Sequence, residues 1–386
     1  MANTLTGLIP YIYQAVDVVS RELVGLIGAS FRNSSAEQAA LNQDITYPLA
    51  SARSAMDITP AVISPDAGDE SVGSGKLTIT KSRGVPVRWN GEEQTAIQGT
   101  GVYNQLVVNQ FAQAMRTLTN EVEADLAALV YKFSRAYGTP GTTPFGVANE
   151  LSDFSQPKKI LLDNGCPESD LHLVVGTAAS AQMEGKQSNL FKVNEAGTAD
   201  LLREGIVTRL QGFGLGKSAQ ILTHVKGTGA GYLVNNAAGY GVGATTIACD
   251  TGAGTILAGD IVTFAGDDNK YVAASALAGG QFTIAAPGLR QPLADNAAIT
   301  VGNSYTANMA FARHAVHLIA RAPKLPMGPG GKPADAADDI AYITDPISGI
   351  TFQVTMYRQF RQVLYIVGLA WGVGCVKPEH TAILLG

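Results

Sequence analysis

Between residues 102 and 136 apolar side chains recur at steps of three and four: Val107, Phe111, Met115, Leu118, Val122, Leu126, Leu129 and Phe133. Such steps keep one face of a 3.6-residue helix apolar, so the pattern predicts a helix over 102–136. At 1.5 Å per residue it would be about 52 Å long, well beyond the usual three or four turns. A helix of that length with one apolar face reads as a girder for a flat subunit. The run Gly138-Thr139-Pro140-Gly141 predicts its end.

Shorter patterns precede it. Ile12, Val16, Val19, Leu23 and Ile27 predict an amphipathic helix opening near Pro10. Ser34-Ser35-Ala36-Glu37 has the capping-box spacing and predicts a short helix to about Asn42. Neither makes a core alone, so residues 1–55 read as an arm lying on something else. Lys76 to Lys81 alternates with period two, Arg83-Gly84 can turn, and Val85-Pro86-Val87-Arg88-Trp89 runs back. This predicts a β-hairpin arm within 56–100, with Pro86 confining the return strand to an edge or an irregular position. An isolated two-stranded hairpin is marginal in water.

After the long helix the period changes repeatedly. Residues 150–224 alternate helix (around Ile160-Leu161-Leu162, and from Thr177 to about Gln187) with strands at Leu171–Val175, Ile206–Leu210 and Ala219–Thr223. Residues 225–304 hold 14 glycines in 80 positions and no helical period. Short strands at Ile261–Phe264, Tyr271–Ala273, Phe282–Ile284 and Ile299–Val301 alternate with Gly, Asp, Asn and Pro turns, which predicts a small all-β barrel or sandwich. Mixed structure then resumes, so this segment reads as an insertion. Ile350, Phe352, Val354 and Met356 mark a half-buried strand, and Val363–Trp371 one covered on both faces. The fold class is α+β.

Composition sharpens the picture. Only 15% of the 386 residues are charged, and 43 are Gly, against averages of about 25% and about 7%. A chain so poor in charge reads as one that covers much of its surface with copies of itself or with partners. Its net charge of −5, with Lys and Arg scattered, argues against a sequence-reading nucleic-acid protein. Cys166, Cys249 and Cys375 lie far apart and form no metal or redox spacing. Asp17, Arg21 and Glu22 interrupt the first apolar stretch, which argues against a signal peptide, and Gln362–Val376 is too short to span a membrane.

Candidate chemistry is sparse. Residues 211–218, ending Gly216-Lys217-Ser218, approach a phosphate-binding loop, but Gln211 replaces the first Gly and no helix is predicted to follow. A nucleotide-binding enzyme is the alternative that rests on this stretch; a Gly-rich turn is the structural one. A Gly-rich extracellular lattice or adhesin protein is a third reading, disfavoured by the missing signal peptide. His314 and His317 have a spacing two metal ligands can use on a helix, without an accompanying Glu or Cys. Asp267-Asp268 reads as a turn rather than a calcium loop. No catalytic, cofactor or metal residue is assigned, and the chain does not read as an enzyme.

The order of the pieces resembles the tailed-phage major capsid fold of the HK-ninety-seven type: helical arm, long hairpin, one very long helix, α+β unit, late long strands. The interrupting all-β segment is similar to the podophage coat-protein branch, as are Arg203-Glu204-Gly205-Ile206 through Gly212-Phe213, Gly259 to Phe264, and Lys377-Pro378-Glu379. The resemblance implies an N-arm (1–55), an extended loop (56–100), and a peripheral domain with its spine helix (101–150 and 326–361). It further implies an axial domain (151–224, 305–325 and 362–386) and an inserted β-domain (225–304). It implies self-assembly as pentamers and hexamers into an icosahedral capsid of the virion, put together in the host cytoplasm. The implied partners are a scaffolding protein, a portal and, on the inner face, non-specifically held double-stranded DNA, with no membrane. The crosslinking Lys of some relatives has no assignable partner Asn here. Within the hairpin arm, Arg83, Arg88, Trp89, Glu92 and Glu93 are the candidate subunit contacts.

Overall fold

A computed structural model describes residues 9–20, 25–49, 73–98, 103–187, 209–328, 335, 337–345 and 348–386. Expectations for 206–208, and the similar phrase at 203–206, lie outside these residues.

Along the chain, helices α1 (Ile9–Ser20) and α2 (Gly25–Ala29) lead into strands β1 (Phe31–Ala39), β2 (Asp44–Leu49), β3 (Gly73–Thr78) and β4 (Lys81–Asn90). Helix α3 (Gly91–Gln98) and the long α4 (Tyr103–Ala128) follow, then β5 (Arg135–Tyr137), α5 (Ser152–Asp163), β6 (Leu171–Val175) and α6 (Thr177–Lys186). Nine short strands come next: β7 (Arg209–Leu210), β8 (Phe213–Lys217), β9 (Thr223–His224), β10 (Tyr232–Val234), β11 (Thr246–Asp250), β12 (Ile261–Phe264), β13 (Asp267–Val272), β14 (Gln281–Thr283) and β15 (Ala298–Val301). The chain ends in β16 (Tyr305–Ala312), β17 (Val316–Pro323), β18 (Asp339–Thr344), β19 (Thr351–Gln359), β20 (Gln362–Cys375) and β21 (Thr381–Leu385).

Two principal sheets result. In the first, β20 is the common strand. It pairs antiparallel with β4 along one edge and with β17 and then β19 along the other, while β1 joins β17 in parallel and β18 joins β19. Helix α4, about 39 Å long at 26 residues, covers one face. All eight positions of its predicted apolar stripe are buried, and α1 packs Ile12, Ala15 and Val16 into the same core. The small sheet of β2 and β3 covers the other face, closing a satellite core of Ala39, Leu77, Ile79, Ile319 and Ala370. There Gly372 is required: a Cβ at this position would fall on the carbonyl oxygen of Thr78.

The second sheet runs β5-β21-β16-β6-β8-β7, with α5 and α6 packed on one face over Phe154, Leu161, Leu173 and Met183. Its other face, through Met309, Phe311 and Ile383, joins the core shared with α4. Strands β10–β15 extend this sheet through a two-residue pairing of β13 with β5, yet they enclose a core of their own, including Val234, Ile247, Phe264, Tyr271, Phe282 and Ile299. The ends of this segment meet, since His224 pairs with Tyr305 and Thr223 with Thr306.

Several expectations are corrected. Residues 34–42 form no helix: Ser34 lies in β1, and its hydroxyl accepts the Thr351 N–H (3.2 Å) instead of capping a turn. Residues 76–89 are not one hairpin. Strand β3 pairs back with β2, and β4 crosses to β20, where Gly84 lies opposite Gly368 within a strand. The chain bends at Ile79-Thr80, held by Ile79 N–H on the Gln43 carbonyl and Thr80 N–H on the Trp371 carbonyl. Helix α4 stops at Ala128, passes through a 3-10 turn (Leu129–Lys132), and yields Arg135 to β5 because Ser134 bonds Thr381 in β21. Strand β8 occupies the glycine run 213–217, and 219–222 form no strand. Strand β19 is buried on both faces over Thr351–Met356 rather than half-buried. Segments 316–323 and 362–375 lie in the first sheet, with α4. Pro86, as expected, stands in an edge strand, β4.

Candidate functional site

The arm residues singled out from the sequence lie on β4 and α3, at the outer edge of the first sheet. Strand alternation sends Val87 and Trp89 inward and Arg88 outward. Arg88 is exposed and lines an apolar groove between β4 and α4, with Val85, Val87, Leu106 and Ala114. Arg83 is exposed and pairs with Glu121 of α4 at 3.6 Å. Glu92 is exposed in the first turn of α3. Glu93 is held within its own chain: its N–H donates to Asn90 Oδ1 (2.7 Å), and its carboxylate accepts the Asn90 N–H (3.2 Å), a capping box for α3. Trp89 departs from the expected surface role, because it is 4% exposed within the core shared with α4. The structure therefore brings Arg83, Arg88 and Glu92 to one accessible edge and turns Trp89 inward beneath them.

Half-buried and buried carboxylates fasten this edge to the rest of the chain, and no local pattern in the sequence points to them. On α4, Asp125 accepts from Lys81 Nζ (2.7 Å) at the start of β4 and from Trp371 Nε1 (2.8 Å) in β20, with Lys81 Nζ 5.9 Å from the Trp371 ring centre. One carboxylate thus joins the helix to two paired strands. Two residues earlier, fully buried Glu123 accepts the backbone N–H of Ile27 (2.7 Å) and Leu26 (3.3 Å) and the Ser218 hydroxyl (2.8 Å). Burial raises its pKa, and these three hydrogen bonds oppose the rise. Glu123 ties α2, α4 and the end of β8 together.

The same hydroxyl removes the phosphate-loop alternative. Gln211 and Gly212 make a positive-φ turn between β7 and β8, Phe213–Lys217 are a strand paired to β6, and Ser218 is bonded to Glu123. No helix follows to present its amides to a phosphate. At the turn read from Asp267-Asp268, Asp267 accepts from Asn269 and from the Tyr271 hydroxyl (2.6 Å), a locally satisfied group. Where residues 225–304 join the second sheet, buried Asp260 accepts from His224 Nε2 (2.8 Å), from the Gly227 N–H and from the Leu257 N–H (2.7 Å). His224 lies between the rings of Tyr131 and Tyr305. Among the described residues no group of three or more His, Cys, Asp or Glu could hold a metal ion, and no helix is long and apolar enough to cross a membrane.

No family model and no curated protein matches this sequence. Solved structures do align along nearly its whole length. The capsid structure of the cyanophage P-SCSP1u covers 92% of this chain and 86% of its own, with a TM-score of 0.45 and 10% identity. The capsid of an empty GTA particle covers 95% and 90%, with a TM-score of 0.42 and 10% identity. The capsid of the Myoviridae phage XM1 covers 95% and 92%, with a TM-score of 0.41 and 9% identity.

Proposed function

We propose that this chain is a structural subunit of a phage head, which assembles with itself into a closed shell. The observation that carries the reading is the order and investment of its elements. An arm (α1, α2, β1), a two-stranded extension (β2, β3), a 26-residue girder helix and two sheets joined by late long strands follow one another along the chain. That is the succession of pieces in the capsid fold which the sequence resembles. Sparse charge supports it, since a surface poor in charge is covered most cheaply by copies of itself.

In this reading the subunits form pentamers and hexamers of an icosahedral shell around double-stranded DNA, assembled in the host cytoplasm with a scaffolding protein and a portal. The extension and the β4 edge lie over a neighbour, with Arg83, Arg88 and Glu92 in contact and Trp89 and Glu93 fixing the strand and helix that carry them. The β10–β15 segment is an inserted domain that holds the second sheet in shape. The free energy of assembly is the sum of many modest contacts, in which the rim charges set register rather than strength.

Negative-stain imaging of the purified full-length protein, produced with and without a co-expressed scaffolding protein, tests the proposal. Closed particles of uniform diameter are expected. A protein that stays monomeric at high concentration in both preparations overturns it.

A further inference from the structure

The two sheets are joined by a continuous two-stranded ribbon. On one side of a bend β16 pairs with β21 (Ala307 with Leu385 through Phe311 with Thr381); on the other, β17 pairs with β20 (Val316 with Cys375 through Arg321 with Ala370). At the bend each strand is broken by a single 3-10 turn, Arg313–Ala315 on one and Pro378–His380 on the other. One imidazole sits on each turn, and they bond to each other: His314 Nε2 lies 2.7 Å from His380 Nδ1, with the rings perpendicular. Between them run only two backbone bonds, Val376 N–H and Lys377 N–H on the Ala315 carbonyl. Four of the five histidines of the chain, His172, His314, His317 and His380, gather in this region: His172 is bonded to Arg313, and His317 to the carbonyl of His314.

We propose that this bend is a proton-operated hinge, clamped by the His314–His380 bond at neutral pH and released when both imidazoles carry a proton. An imidazole pair sharing one hydrogen bond needs a lone pair on one of the two nitrogens. The first added proton keeps the bond, with the cation as donor. The second sets two N–H groups and two like charges against each other at 2.7 Å. The pair therefore titrates as a unit, and the clamp fails at its second step.

The charges facing the pair push that step further into acid. Lys377, in the second connection, adds a positive charge beside both rings, while Glu379 and Asp170 oppose it from that turn and from the start of β6. Arg313 is occupied by Asp170 at 3.2 Å. His317, tilted against the rings of Phe31 and Tyr47, contributes through its bond to the His314 carbonyl. Burial first and Lys377 second hold His314 and His380 below the ordinary histidine value of 6.5. The sign follows: a group whose folded pKa is depressed stabilises the clamped form above 6.5, and that contribution is lost as the pH falls through the lower folded values. The opened bend binds more protons, so acid favours it. Opening leaves each sheet intact, because both ladders lie outside the turns.

Hydrogen exchange of the full-length protein, corrected for the intrinsic rate at each pH, tests the hinge. Segments 313–315 and 376–380 are expected to lose protection several-fold between pH 7.5 and 5.0, while β6 and the ladders on either side of the bend keep theirs. The double variant His314→Gln with His380→Gln, which cannot take up the protons, is expected to show no such loss. Unchanged protection in the wild type, or an equal loss in the variant, overturns the proposal. Should the variant not fold, NMR titration of wild-type imidazole carbons decides: two independent transitions near 6.5 reject the coupled clamp, and displaced, mutually dependent ones support it. The readout is independent of shell formation, so its failure leaves the proposed function standing.

Discussion

The first sheet and the β10–β15 segment are both built mainly from antiparallel strand pairs, yet they are held together in opposite ways. In the first sheet the pairings reach across the chain: β4 meets β20 some 280 positions later, and β1 meets β17 at a similar separation. Its core is shared with α1 and α4 and is continuous with the second sheet. Strands β10–β15 pair almost entirely among themselves, around a separate core. The comparison teaches that a perturbation in the first region has no boundary at which to stop, whereas one in the second meets the narrow polar junction around Asp260.

The strongest way to break this contrast is a charge in the shared core. Met115→Asp places an unpaired carboxylate at a fully buried position of α4 and is expected to cost about 3–5 kcal/mol. Insoluble or unassembled protein is the anticipated result; normal soluble yield and an unshifted urea midpoint would contradict it. Asp260→Ala leaves His224 and two backbone N–H groups without their acceptor, a loss of about 2–4 kcal/mol. Its effect should stay local: exchange protection falls over 225–304 while β20 keeps its own. Simultaneous loss in both regions would show that the separate core is not an independent unit.

Smaller changes sharpen the comparison. Gly372→Ala drives a methyl group against β3 and is expected to cost about 1–3 kcal/mol. The sign of success is selective exposure of Leu77 and Ile79, read by exchange of the β2–β3 amides. Arg88→Glu reverses an exposed charge and should move stability by no more than about 0.5 kcal/mol. Under the proposed function it lowers the yield of closed particles at unchanged melting temperature, and a melting shift without an assembly defect would assign Arg88 to the fold instead.

The same contrast explains what was legible beforehand. Strand β12 is legible to the residue, and β13, β14 and β15 to within a few, because their turns are written locally: Gly266, Gly279, Gly280 and Asn296 take positive φ at the corners. The apolar stripe of α4 was equally plain, since a helix carries its period in its own sequence. Strands β1 and β4 are hard to read because their partners lie far along the chain. Ser34 looks like a helix cap until Thr351 is beside it, and Gly84 looks like a turn until Gly368 lies opposite. Glu123 and Asp125 carry no local signal: such a carboxylate is defined by its donors, and those come from remote segments. Of the surface candidates, Arg83, Arg88 and Glu92 lie at the accessible edge, while Trp89 follows the alternation of β4 into the core.

The ladder between β4 and β20 has a mechanical consequence. The two-stranded extension runs through Ile79-Thr80 directly into β4, which is bonded to β20 over ten successive residue pairs, from Lys81–Trp371 to Asn90–Gln362. Tension applied to the extension along the axis of β4 loads those bonds in parallel, in shear, rather than peeling them one after another. The Lys81–Asp125–Trp371 group stands at the end where the load enters. A pull from outside is therefore spread over the whole length of β20 and, through β17 and β19, into the entire sheet.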